Sequence, residues 1–148
     1  MKHIISSRAL YEVITREKRN SGSSFTIKSV STGVDYTYKI SRKLYNGVWY
    51  SHIAVETQYL NFKYLGYYKD GVIQLKGKTI DTPSAKAISF VLSKVEKQEF
   101  DWLDSKLNVM HTGHCLVCGK ELTDSKSIER GLGDICAKQL KQLKIARV

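Results

Sequence analysis

Residues 36–75 run YTYKISRKLYNGVWYSHIAVETQYLNFKYLGYYKDGVIQL, and the fold is decided here. Tyr36, Tyr38 and Ile40 alternate with Thr37 and Lys39, the period of two expected of a strand with one buried face. Asn46-Gly47 favours the positive φ angles of a type I′ turn, so 48–56 returns as the next strand. Residues 62–68 form a further strand, and Asp70-Gly71 turns it onto 72–75. Upstream, Phe25, Ile27 and Ser29 alternate with Thr26 and Lys28 and add one more. Five strands joined by short turns predict an antiparallel meander in which sequential strands pair.

Helical patterns flank this block. Over 7–18, Ala9, Leu10, Val13 and Ile14 share one face, and Ser6 or Ser7 supplies a cap. Asn20-Ser21-Gly22-Ser23-Ser24 then breaks the pattern as a loop. The single proline, Pro83, suits the first position of a helix, where its missing N–H costs nothing. Ala87, Ile88, Val91, Leu92 and Val95 recur at helical spacing, so a helix over about 83–97 should lay its apolar stripe on the sheet. Residues 99–110, with Trp102, Leu103 and Leu107, read as a connection to a cysteine-bearing segment. The expectation is an α+β fold. Residues 1–110 hold the meander and flanking helices; 111–148 form a small zinc-ribbon or treble-clef-like segment ending in a helix.

The chain has 148 residues, 42% apolar and 26% charged, enough to build one core. No run of about 18 apolar residues offers a membrane span. The first twenty residues lack the apolar stretch of a secretory leader, so a cytoplasmic protein is expected. The net charge of +10 exceeds the roughly 2–8 typical of a soluble small domain. The excess lies in 1–80 and 111–148, with a slightly acidic stretch between, so it is a surface property and not a tail. Such a surface attracts polyanions, and nucleic acid is the expected partner. Aromatic residues concentrate in 25–68 among Lys28, Lys39, Arg42, Lys43, Lys63 and Lys69, and rings beside lysines can stack bases and hold phosphates. Tyrosine is also a good strand residue. Tyr38, Trp49 and Phe90 read as core, whereas Tyr45, Tyr59, Tyr64, Tyr67 and Tyr68 divide between core and surface.

The three cysteines are Cys115, Cys118 and Cys136. An odd, clustered set argues for thiolates on a metal and against a disulfide framework. In His111-Thr112-Gly113-His114-Cys115-Leu116-Val117-Cys118-Gly119, two thiols three apart can reach one ion while the glycine lets the backbone turn beneath them. Cys136 falls at the start of a last helix, about 134–144, where the helix dipole favours a thiolate. A tetrahedral Zn2+ needs a fourth ligand. A two-plus-two arrangement would place it near Gly133 or Gln139, both poor ligands, so a histidine is expected. His114 adjoins Cys115 and would diverge from it. His111 has Thr112-Gly113 through which the chain can return, and is preferred. His111, Cys115, Cys118 and Cys136 would then hold a structural zinc with no position open for activated water.

The stretch CLVCGKELTDSKSIERGLGDICAKQL, residues 115–140, resembles a family of domains of unknown function. Such domains are frequent in bacteriophage proteins and in some bacterial helicase-related and uncharacterised proteins. The resemblance is carried by Cys115, Cys118, Gly119, Leu122, Thr123, Ser127, Ile128, Gly131, Gly133 and Cys136; Asp134 departs from it, standing where the family has proline. The whole chain is similar to small phage proteins through Tyr64-Leu65-Gly66, through the run from Pro83 to Ile88, and through His111-Thr112-Gly113-His114-Cys115. The last of these carries the histidine ligand onto His111. The resemblance implies a zinc fold, phage origin and hence a host cytoplasm; it implies no activity.

The expected function is that of a nucleic-acid-binding accessory protein. Its contacts would be Lys39, Arg42, Lys43 and Lys63 on the sheet, and Lys120, Lys126, Arg130, Lys138 and Lys141 near the metal. A surface that binds a host defence or transcription protein through exposed aromatics is the alternative. No nucleophile elbow, phosphate-binding loop or carboxylate pair beside a histidine is present, so an enzyme is not expected.

Overall fold

In the computed structural model, which describes residues 3–15, 24–59, 61–76 and 81–139, the alternating stretch becomes the larger part of one antiparallel sheet. Its strands are β1 (His3–Ile5), β2 (Ser24–Ser29), β3 (Asp35–Tyr45), β4 (Val48–Gln58), β5 (Asn61–Lys69), β6 (Val72–Leu75) and β7 (Leu107–His111). The spatial order is β1-β7-β2-β3-β4-β5-β6. Strands β2 to β6 are the expected five-strand meander. Asn46 and Gly47 at φ 50° and 76°, and Asp70 and Gly71 at 48° and 82°, make its two tight hairpins. The sheet is wider than the sequence suggested because β7, within the supposed connection, returns to pair with β2, and β1 then pairs with β7.

Four named helices accompany the sheet: α1 (Ser7–Thr15), α2 (Pro83–Glu96), α3 (Phe100–Lys106) and α4 (Ser125–Arg130). The Ser6 hydroxyl accepts from the Ala9 N–H and caps α1; the last three positions of the expected helix lie outside the described residues. Thr82 caps α2 by accepting from the Ala85 N–H, with Pro83 next to it. Leu10, Val13 and Ile14 of α1, Ile88, Val91, Leu92 and Val95 of α2, and Phe100 and Leu103 of α3 are buried against Phe25, Ile27, Tyr38, Ile40, Ile53 and Val55. All three helices therefore cover one face of the sheet. The Tyr38 hydroxyl donates to the Ser84 carbonyl at 2.7 Å, tying the centre of the sheet to the first turn of α2. Burial pushes the pKa of that phenol well above its ordinary value, with Tyr36 adding to the rise.

Burial corrects two assignments. Arg42 follows Tyr38 and Ile40 onto the inward face and is buried. It donates to the Ser51 hydroxyl at 3.0 Å and lies 5.6 Å from the centre of the Trp49 ring, so it is not an outward phosphate contact. Phe90, assigned to the core by its helix, is 49% exposed and packs edge-on against Trp102. The boundary expected between 110 and 111 falls inside β7, and residues from Ile5 to Cys136 share one buried cluster. No described helix is long and apolar enough to cross a membrane.

Candidate metal centre

Strand β7 ends at His111, and the chain turns at Gly113 into a small loop closed by a bridge between His114 and Glu121. Within it the Cys115 N–H donates to the Lys120 carbonyl at 2.8 Å and the Gly119 N–H donates to the Cys115 carbonyl at 2.9 Å. Gly119, at φ 78°, makes the reversal beneath Cys118. Asp124 caps α4 through the Ser127 N–H, and Gly131, left-handed at φ 74°, ends it. The Leu116 N–H then donates to the Gly131 carbonyl, laying the Gly131-Leu132-Gly133 turn against the cysteine loop. A helical segment over 134–139 follows and carries Cys136.

The result is convergence of three sulfurs. The Sγ atoms of Cys115, Cys118 and Cys136 lie within 4.8 Å of one another, with Cys115 and Cys136 buried and Cys118 exposed. Tetrahedral zinc with Zn–S bonds of about 2.3 Å separates its sulfurs by about 3.8 Å, so the trio is close to that spacing. The electrostatics also suit a cation. Burial raises the Cys115 thiol, but the backbone N–H groups of Cys118, Gly133 and Val117, with the Cys118 side chain, outweigh it and leave its pKa below the ordinary value. The Cys136 thiol is pushed up to about 12, by burial first and then by Cys115 and Cys118. Adjacent thiolates repel one another, and a divalent cation removes the conflict.

His111 is not among the groups brought together. Its ring is buried beneath α4, where Nε2 donates to the Ile128 carbonyl at 2.5 Å and Nδ1 accepts from the Gly113 N–H at 3.0 Å. Burial lowers its pKa and, together with His3 and His114, outweighs the hydrogen bond to Ile128, which raises it. Both nitrogens are thus engaged by backbone. His114 is exposed and faces the Thr112 hydroxyl. A cavity of about 500 Å³ opens beside Cys118 and Cys136, and Asp124, Asp134 and Gln139 also line it. Gln139 Oε1 is buried and has no hydrogen-bond partner among the described residues. It stands one helical turn after Cys136, and an orphaned carbonyl oxygen at that place is a candidate fourth donor. The sequence offered only its spacing, three residues from Cys136.

The candidate cations are dispersed. Lys39 and Lys43 lie on the outward face of β3, and Lys63 is exposed on β5. Lys120, Lys126 and Lys138 are exposed in the segment that carries the cysteines. Arg130 is held by Asp134 at 2.8 Å and by the Ser127 hydroxyl. Lys141 lies outside the described residues. A family of unknown function, DUF6011, matches residues 106–141, spanning β7 and all three cysteines. No curated protein and no solved structure matches the chain.

Proposed function

We propose that this is a small basic binding protein whose three thiols hold a structural zinc ion and whose lysines contact nucleic acid. The observation that carries the reading is the placement of Lys39 and Lys43 on a sheet face that none of the described helices covers, in a chain of net charge +10. Lys63, Lys120, Lys126 and Lys138 add exposed positive charge elsewhere on the protein. Zinc suits a set of soft thiolates in a knuckle followed by a helix-borne thiol, the treble-clef-like arrangement. Asp124, Asp134 and Gln139 line the cavity beside the thiols and are the candidates for the fourth position. On this reading the metal fixes the segment after β7 and the protein is a binding module, not an enzyme. The phage resemblance makes an accessory role in the host cytoplasm part of the proposal.

The test pairs metal analysis of the purified protein with binding to nucleic acids over a salt titration. About one equivalent of zinc is expected, with affinity falling steeply as salt rises. Absence of binding to DNA and RNA at low ionic strength removes the nucleic-acid reading. A protein partner is the second reading, favoured by the exposed Phe90–Trp102 pair with Lys94 across both rings. Capture of a host protein that survives nuclease treatment and is lost in Trp102→Ala would select it.

A further inference from the structure

The face of the sheet opposite the helices carries a connected set of rings. On β4 the outward positions are Tyr50, His52, Ala54 and Glu56, because Ser51, Ile53 and Val55 are buried on the helix side. Register then places Tyr67 beside His52, Tyr64 beside Ala54 and Phe62 beside Glu56. The rings touch in sequence. Tyr50 and Tyr67 meet edge-on at 5.3 Å, His52 and Tyr64 lie 5.8 Å apart, and Tyr50 and His52 are nearly parallel at 6.3 Å. His52 Nδ1 and the Tyr64 hydroxyl are 2.9 Å apart and hydrogen-bonded.

Cations border this array on three sides. Lys69 lies 5.4 Å from the Tyr50 ring centre, Lys39 lies 5.8 Å from Phe62, and Lys76 lies 6.0 Å from Tyr64. Lys43 pairs with Tyr50 across β3 and β4. Glu56 is the one carboxylate on the outward positions of β4 and β5. The field is felt at the centre: burial lowers the His52 pKa, and Lys43 and Lys76 lower it further.

We propose that this face, with Tyr50, His52, Tyr64 and Tyr67 as stacking groups and Lys39, Lys43, Lys69 and Lys76 as phosphate contacts, binds single-stranded nucleic acid. The inference rests on the nucleic-acid reading above and names its ligand. A duplex keeps its bases stacked inside, and its major groove admits a helix or a two-stranded ribbon, not the breadth of four strands. A single strand can lay unpaired bases on rings while its phosphates reach the bordering ammonium groups. The face suits bases of any sequence, because stacking and charge, not a hydrogen-bond code, would hold them.

The test is fluorescence anisotropy with one mixed 20-nucleotide sequence as single-stranded DNA, single-stranded RNA and duplex DNA, using the full chain. Single strands of one or both sugars should bind at least about tenfold more tightly than the duplex. Tyr67→Ala and Tyr50→Ala should each weaken single-strand binding by about fivefold or more, while Tyr67→Phe retains it. Lys43→Gln and Lys69→Gln should flatten the salt dependence. Because an alanine variant could misfold, iodouridine crosslinking of the unmodified protein gives an independent reading, with adducts expected at Tyr50, Tyr64 or Tyr67. Equal or tighter duplex binding, or adducts confined to the cysteine segment, overturns this inference and leaves the broader reading standing. Failure of every nucleic acid to bind removes both, as does a dimer that buries this face.

Discussion

At His111 one imidazole satisfies two backbone groups from separate segments, the Ile128 carbonyl and the Gly113 N–H. Removing the ring leaves both groups unpaired beside β7. His111→Ala should therefore lower stability by roughly 2–4 kcal/mol in urea unfolding while any metal held by the thiols is retained. Loss of the metal with little change in stability would instead return His111 to the ligand set. Histidine's ordinary affinity for zinc made His111 the expected ligand; the competing carbonyl comes from a residue seventeen positions away and was not legible in the sequence. His52 is a second residue whose surroundings only the sheet assembles. Its pKa is lowered by burial and by Lys43 and Lys76, so the unfolded chain takes up its proton first. Stability conferred by this group is then present above about pH 6.5 and is lost as pH falls through the lowered folded value. In an NMR titration the His52 midpoint should lie below 6.5 and move upward in Lys43→Gln.

Among the elements, β5 is the irregular one. Its register against β4 shifts between Ile53 and Ala54, so that Leu65 is passed over between Tyr64 and Gly66. This bulge puts Leu65 into the core and keeps Tyr64 and Tyr67 on the outer face. It also brings β6 so close that a Cβ on Gly66 would lie 2.0 Å from the Gln74 carbonyl oxygen. Gly66→Ala should destabilise the protein by about 1–3 kcal/mol or more, read from denaturant unfolding, because one backbone must move away from the other. The Tyr64-Leu65-Gly66 triplet is visible in the sequence, but the approach of β6 that requires its glycine is not. The hairpins were legible because Asn46-Gly47 and Asp70-Gly71 act locally. Strand β7 was not, because five residues directly following α3 become a strand only by pairing with β1 and β2.

Over the whole molecule, the cysteine segment and the sheet are mechanically continuous. β7 runs into it, α4 lies against β1, and Cys115, Leu116, Val117, Leu122 and Cys136 belong to the same buried cluster as the sheet. Chelation of a metal held by the thiols should therefore lower the melting temperature and speed hydrogen exchange first in β1 and β7. The β3–β4 pairing, separated from β7 by β2, should keep its protection longer. A melting curve unchanged by chelator would show that the thiols hold no ion of structural consequence. By itself the sequence determined the meander, its two tight turns and the α2 start at Thr82-Pro83, which rest on short-range periodicity or local backbone preference, and it pointed to the three-cysteine grouping through residue type and count. Tertiary structure alone decided the seven-strand order, the burial of Arg42, the engagement of both His111 nitrogens and the gathering of Tyr50, His52, Tyr64 and Tyr67 on one face. Those outcomes depend on which distant backbone and side-chain groups compete for the same space and the same hydrogen bonds, and that competition exists only once the chain has folded.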